Sequence, residues 1–113
     1  MKRTLYAKSS NSDLSYDVVF ELKNNNLFIR CDCKAGEFGR LCRHIKAFLY
    51  GDISILYDER QEKKFIEVCE WIQQTKCQKY LIELDEIKKQ IETLKKKEQA
   101  AQRALERRIG EGF

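Results

Sequence analysis

The sequence predicts an α+β protein, in which a small antiparallel β-hairpin and a short helix precede a long helical tail. Three observations favour this class: alternating apolar residues near the start, a cysteine-rich segment interrupted by glycines, and a stretch from residue 59 to residue 109 without glycine or proline. We expect a boundary near residue 58. Residues 1–58 would form a head domain, and residues 59–113 a long helix or a helical hairpin.

The N-terminal segment has the pattern of a β-hairpin. Residues 4–9 are expected to form a short strand, and Ser9 to Asp13 a turn. Five alternate residues then share one face of a strand, namely Leu14, Tyr16, Val18, Phe20 and Leu22. Asn24 to Asn26 suits a hairpin turn because asparagine tolerates positive φ angles, and residues 27–30 form the return strand. With residues 4–9 added, the hairpin becomes a three-stranded antiparallel sheet.

The segments after the hairpin are mostly helical in pattern. A short helix begins near Leu41 and ends at Gly51, and the connector from Asp52 to Asp58 is partly strand-like. From residue 59 onward strong helix formers dominate, with Gly110 as the expected end. Apolar stripes on the two sides of residues 75–79 differ in register, so the helix either continues with a phase slip or breaks there.

Composition excludes several classes of protein. No apolar run reaches the roughly 18 residues of a transmembrane helix, and the first residues lack the apolar core of a signal peptide. We therefore expect a cytoplasmic protein (nuclear in a eukaryote) without a membrane partner. Five cysteines in such a reducing compartment do not indicate a disulfide framework. The net charge of +4 permits nucleic-acid binding without requiring it.

The segment from Cys31 to His44 carries the chemistry. Its spacing is C-x-C, eight residues, then C-x-H, and His44 is the only histidine of the chain. Zn²⁺ favours four tetrahedral sulfur and imidazole ligands, and the intervening loop with its two glycines can bring the two pairs together. Cys31, Cys33, Cys42 and His44 would fill all four positions, which describes a structural zinc site that joins hairpin to helix. The alternatives are buried reduced cysteines beside an incidental histidine or, less in keeping with the compartment, disulfides.

This segment resembles the SWIM-type zinc finger, whose pattern is C-x-C, a variable spacer, then C-x-H. The resemblance covers roughly residues 4–50 and includes the strand around Tyr16-x-Val18, the Cys-Asp-Cys element and the Cys-Arg-His-Ile-Lys-Ala helix start. It implies a ββα module that binds one Zn²⁺ and a role in binding DNA or protein. The family occurs beside helicase and transposase domains, and this sequence contains neither.

The remaining cysteines, Cys69 and Cys77, lie eight residues apart within predicted helix. We expect them to be small apolar core residues, with a reactive or metal-binding role as the alternative. Because the sole histidine is committed as a ligand and no open metal position remains, we expect no catalytic residues and a protein that is not an enzyme.

Basic residues surround the predicted zinc site. Between residues 30 and 46 five basic side chains face two acidic ones, and such a cluster can bind a phosphate backbone. Phe38, in the loop between the ligand pairs, can stack on a base. The predicted nucleic-acid contacts are Arg30, Lys34, Phe38, Arg40, Arg43 and Lys46. Alternatively, these are ordinary surface charges, or charges that stabilise the zinc–thiolate centre, and Phe38 covers the metal.

The tail carries a short heptad pattern. With residue 84 at position a, four apolar residues occupy a and d positions over two heptads: Leu84, Ile87, Ile91 and Leu94. We interpret this stripe as a coiled-coil contact with a second copy or a protein partner, and folding back on the N-terminal half is the alternative. Glutamates interleave with the basic residues 95–97, 103, 107 and 108, so a solvated face explains those charges better than nucleic-acid contacts do.

Together these features predict a non-enzymatic zinc-binding module that binds nucleic acid, with DNA favoured, and that forms a homodimer through its C-terminal helix. The alternative is a protein–protein interaction adaptor, in which zinc is purely structural and the tail recruits a partner. The sequence does not name the target or the pathway.

Overall fold

The computed structural model describes residues 1–10 and 13–113, so Asn11 and Ser12 of the predicted turn lie outside the described residues. It confirms the α+β class: a three-stranded antiparallel sheet is followed by helices, the last of them long. The elements are β1 Lys2–Lys8, β2 Ser15–Lys23, β3 Asn26–Cys31, α1 Lys34–Glu37, α2 Arg43–Leu49, α3 Glu62–Gln74 and α4 Cys77–Glu111.

The sheet has the order β1-β2-β3, and its register brings Leu5 opposite Val18 and Val18 opposite Cys31. The hairpin between β2 and β3 turns through Asn24 and Asn25, whose φ angles of 53° and 64° are both positive. This is the geometry that lets a two-residue turn follow the twist of its strands. The predicted hairpin and third strand are therefore confirmed.

One face of the sheet forms the core. Its side chains include Leu5, Ala7, Val18 and Phe20, all fully buried, as the alternation of β2 predicts. The prediction that Leu14 shares this strand face is wrong, because Leu14 precedes β2 and is 56% exposed.

The helices α2 and α3 pack on this face through aromatic rings. The ring of Phe48 in α2 lies 5.7 Å from Phe20 and 5.9 Å from Phe65 of α3. Val68, Trp71 and Ile72 of α3 are buried as well. Such offset and edge contacts fix the position of α2, whose N-terminus carries two predicted metal ligands.

The outer edge of β1 is covered by a glutamine side chain. Gln61 is buried, accepts a hydrogen bond from the backbone N–H of Tyr6 at 2.9 Å, and donates one to the carbonyl of Thr4 at 3.1 Å. A side-chain amide thus takes the place of a neighbouring strand. Close by, Leu56 forms an isolated bridge with Ala7. The connector is otherwise not strand-like, since it contains 3₁₀ turns at Ile53–Ile55 and Glu59–Gln61.

The helical half breaks where the apolar stripes change register. Helix α3 ends at Gln74 and α4 begins at Cys77. The predicted break is therefore confirmed, and the alternative of a continuous helix with a phase slip is wrong. The expected stop at Gly110 is wrong, because α4 continues to Glu111 and Gly112 then takes a positive φ of 94°. Gly51 does end α2, with a φ of 70°.

The chain divides into two compact units, residues 1–78 and 79–113. The first contains the sheet and helices α1 to α3, and the second contains most of α4. The division into two domains after residue 58 stays a prediction. Within the described ranges no helix is both long and apolar enough to cross a membrane.

Candidate metal centre

The four predicted ligands lie where three elements meet. Cys31 is the last residue of β3, and Cys33 is the N-cap of α1. Cys42 is the N-cap of α2, and His44 lies in the first turn of that helix. The sheet therefore supplies one pair of ligands through its end, and α2 supplies the other pair through its beginning.

The ligand atoms converge in the protein interior. The three sulfurs and a ring nitrogen of His44 all lie within 4.8 Å of one another, and each of the four residues is at most 7% exposed. Bond lengths of about 2.0 to 2.3 Å at a tetrahedral zinc ion correspond to ligand atoms about 3.5 to 4 Å apart. The observed spacing fits such an ion after small adjustments, and the four residues form a buried metal-binding cluster.

The hydrogen bonding of His44 also fits a metal. Its Nε2 atom is buried and has no hydrogen-bond partner among the described residues, and its Nδ1 atom lies 3.8 Å from Cys31 Sγ. A buried polar nitrogen without a partner is costly, and a metal ion bound at Nε2 would supply that partner. Histidine is also the single polar member of a cluster that is otherwise formed by thiols.

Two of the sulfurs accept backbone hydrogen bonds. The N–H of Gly36 donates to Cys33 Sγ and the N–H of Ile45 donates to Cys42 Sγ, both at 3.3 Å. These contacts are the N-cap bonds of α1 and α2, with a cysteine in the place of the usual serine or aspartate. Donors aimed at sulfur favour the thiolate, which is the form that binds metal.

Protonation of the cluster depends on burial and on these donors. Burial raises the pKa of Cys31, so its thiolate is unfavourable unless a cation lies beside it. Burial acts in the same direction on Cys33. The hydrogen bonds to its sulfur, from the Gly36 N–H first and from the Cys31 and Cys42 thiols, together outweigh burial, so the pKa of Cys33 lies below the usual value. Burial and the charge of Arg43 lower the pKa of His44, which keeps the ring neutral as a ligand must be.

Gly36 holds the turn between Cys31 and α1. A methyl group at Gly36 would lie 2.7 Å from Cys31 Cβ and closer still to the Cys31 carbonyl oxygen. Only a residue without a side chain allows this approach. The sequence pattern places Gly36 in a loop and does not predict α1. The available signal is a spacing: a side chain that caps a helix bonds the N–H two or three residues later, and Gly36 is three residues after Cys33.

Two further contacts steady the ligands. The carboxylate of Asp32 accepts a hydrogen bond from the Asp17 N–H at 2.9 Å, and the Asp32 N–H donates to the Asp17 carbonyl at 3.1 Å. These two hydrogen bonds extend the β2–β3 pairing past Cys31. The Tyr16 ring lies against the His44 ring, with centroids 4.7 Å apart. Tyr16 lies on the face of β2 that the alternating pattern predicts, but its contact with a candidate ligand is not evident from the sequence.

The six predicted nucleic-acid contacts are all exposed, in three places: Arg30 on β3, Lys34, Phe38 and Arg40 on α1 and after it, and Arg43 and Lys46 on α2. Arg30 alternates with Cys31, so its side chain lies on the sheet face away from the core. Phe38 is 73% exposed, which does not support the alternative that it covers the metal. Arg43 donates a hydrogen bond to the Lys8 carbonyl at 3.3 Å, which joins the start of α2 to the end of β1.

The predicted stripe of the tail lies on α4. Ile87, Ile91 and Leu94 are 52%, 45% and 62% exposed, and Leu84 is half-buried. Cys69 and Cys77 are partly buried, as expected of small apolar residues, and burial raises the pKa of both thiols. A raised pKa makes a thiol less reactive. Neither residue belongs to the metal-binding cluster.

Comparison with known proteins agrees with this geometry. The family model of the SWIM zinc finger matches residues 16–50, which span β2, β3, α1 and α2. No curated protein and no solved structure was found to match the chain. The matched segment contains every residue of the buried cluster, in the order C-x-C-x8-C-x-H. Residues 16–50 of this chain therefore match the SWIM zinc finger, and Cys31, Cys33, Cys42 and His44 occupy the positions of its C-x-C and C-x-H pairs.

Proposed function

We propose that the chain is a non-enzymatic module that holds one Zn²⁺ and binds nucleic acid through the basic surface around the metal, with DNA as the favoured form. The observation that carries the proposal is the buried cluster of three cysteines and one histidine, with exposed cations on the elements that hold it. The proposal includes self-association through α4. It also includes a reducing, cytoplasmic location, since three of the thiols must stay reduced to bind metal.

Zinc suits the cluster better than other common ions. Three thiolates and an imidazole are soft and borderline ligands, whereas Mg²⁺ and Ca²⁺ prefer oxygen. With four ligands from the protein the ion has no open position for water, so it would contribute folding free energy rather than reaction chemistry. Cys31 and Cys33 would hold it from the sheet, and Cys42 and His44 from α2. This is the basis for proposing a binding protein and not an enzyme.

The finger presents cations in a form that suits a phosphate backbone. Arg43 and Lys46 are three residues apart on α2, so they share one exposed face of the helix. Lys34 and Arg40 lie on either side of Phe38 in the sequence, and all three side chains are exposed. Cations bind phosphates in any sequence, and an exposed aromatic ring can stack on a base. This pattern supports nucleic-acid binding without predicting a sequence preference.

The test is the salt dependence of binding by the full, zinc-loaded chain. Fluorescence anisotropy with duplex DNA, single-stranded DNA and RNA would compare the three forms. If about four phosphates are contacted, affinity should fall about 100-fold between 50 and 200 mM salt. Arg40→Ala and Arg43→Ala should each weaken binding and reduce the salt slope by about one. Lys63→Ala, an exposed cation on α3, is the matched control and should change neither quantity.

A second candidate function, that of a protein-interaction adaptor, is favoured by the exposed apolar residues of α4. In that case the metal only stabilises the finger, and α4 recruits another protein. Absence of DNA and RNA binding even at low salt would eliminate nucleic-acid binding and leave the adaptor. Substitution of Leu84, Ile87, Ile91 and Leu94 by polar residues should then abolish complex formation while zinc stays bound. Retention of the complex by such variants would contradict the adaptor.

A further inference from the structure

The exposed stripe of α4 has an internal symmetry that points to its partner. Its four residues read Leu84, Ile87, Ile91 and Leu94, so the spacings are three, four and three, and the residue types mirror each other about position 89. These positions share one side of α4, and three of them are at least 45% exposed. A stripe with this symmetry is complementary to itself when a second copy runs in the opposite direction.

Antiparallel pairing about position 89 brings like residues together. Leu84 would face Leu94 of the second copy, and Ile87 would face Ile91, so every layer pairs side chains of equal size. The next layer outward pairs Tyr80 with Glu98 of the second copy. The phenol can donate a hydrogen bond to the carboxylate there, and Tyr80 is 66% exposed and available for it. A parallel pair would instead bury Glu98 against Glu98, which repels.

The charges along α4 favour the same direction. Within the paired segment, residues 80–85 carry two acidic and no basic side chains, whereas residues 93–98 carry three basic and one acidic side chain. Antiparallel pairing sets the first of these ranges against the second range of the other copy, and beside the apolar layers it brings Glu83 close to Lys97. Parallel pairing would place the two basic ranges side by side. Antiparallel pairing also brings Lys88 close to Lys88 of the second copy near the symmetry axis. The two long side chains can reduce this repulsion by turning outward.

We propose that the chain forms a homodimer through an antiparallel coiled coil of α4, with a twofold axis near residue 89 and a paired segment from Tyr80 to Glu98. The two chains enter this segment from opposite ends. The proposal rests on the self-association included in the proposed function and adds its direction and register. With few apolar layers the association is weak, so it depends on protein concentration.

A charge-swap experiment tests the direction. Sedimentation equilibrium of the zinc-loaded full chain should show a monomer–dimer equilibrium. Glu83→Lys and Lys97→Glu should each weaken the dimer about fivefold, since each creates like-charge pairs at both ends. The double variant Glu83→Lys/Lys97→Glu should restore the affinity of the unchanged chain, because the two residues meet across the antiparallel interface. In a parallel dimer they do not meet, and no restoration would occur.

Two further variants complete the test. Lys96→Glu makes the same charge change on the side of α4 away from the stripe and should leave the dimer almost unchanged, whereas Ile91→Lys should leave only monomer. A chain that is monomeric at every concentration, a double variant that stays weak, or a dimer that survives Ile91→Lys would each overturn the proposal. Zinc content and DNA affinity of the Ile91→Lys chain, measured alongside, show whether the finger's proposed function stands independently of the dimer.

Discussion

Gly36 lies against the backbone of Cys31, where even a methyl group would overlap the cysteine. Its N–H donates to Cys33 Sγ from the same position. A single residue without a side chain therefore sets the distance between the end of β3 and the start of α1. The two cysteines that flank Asp32 can point into one cluster because this turn is tight.

The first prediction concerns Gly36→Ala. Relieving the overlap would push α1 away from Cys31, so the free energy of unfolding should fall by about 1–3 kcal/mol and zinc affinity should weaken. Urea unfolding and chelator competition measure these two effects. Gly110→Ala is the matched control, since a methyl group there meets nothing and lies within α4. If Gly36→Ala bound zinc as tightly as Gly110→Ala, the account of the turn would be wrong.

The ligands themselves give the second prediction. His44 is buried, and its Nε2 atom has no hydrogen-bond partner in the part of the chain that the structure describes. The substitution His44→Ala takes away a predicted metal ligand and opens a cavity beside Tyr16. We expect zinc per chain to fall from one to nearly none after dialysis, as measured by atomic emission. Cys69→Ser lies outside the cluster and should keep its zinc. Full zinc retention by His44→Ala would remove this residue from the ligand set.

At the scale of single elements, Gln61 protects an edge of the sheet. Unpaired edge strands are open to association with other chains, and proteins usually cover or charge them. Here the amide of Gln61 satisfies both the N–H of Tyr6 and the carbonyl of Thr4, and the Leu56 bridge extends the cover. The strand β1 is thereby held in place without a fourth strand.

The third prediction is the effect of Gln61→Leu. The substitution keeps the volume but leaves two backbone groups of β1 unpaired, and it should lower the free energy of unfolding by about 2 kcal/mol. Thermal unfolding followed by circular dichroism measures the loss. Gln73→Leu, at an exposed position of α3, should be nearly neutral. Equal stability of the two variants would show that the edge does not depend on Gln61.

Sequence patterns predicted the elements whose signals are local. The alternation in β2, the asparagines at the turn and Gly51 after α2 each specify structure within a few residues, and the structure agrees with them. Helix α1 was missed because its single turn has no periodicity of its own and depends on the Cys33 cap and the packing of Gly36. Gln61 was missed because its role arises only from contacts with β1, more than 50 residues away.

At the scale of the whole molecule, one centre joins the sheet of the first unit to its helices. The cluster links the end of β3 to the start of α2, and α2 in turn packs on Phe20 and Phe65. A sheet of three strands with short helices buries too little apolar surface to be secure alone, so a metal at this junction would supply much of its stability. The ligand set was predictable from spacing, whereas the convergence of its atoms required the fold.

The most direct test of the account is the mass of the native chain with and without a chelator. We expect native mass spectrometry to find one zinc ion per chain, and chelation to remove it together with the dispersed amide signals of β1, β2 and β3 in an NMR spectrum. Restoring zinc should restore these signals. A zinc-free chain that keeps its folded sheet would contradict the central claim that the cluster of Cys31, Cys33, Cys42 and His44 is a structural metal site.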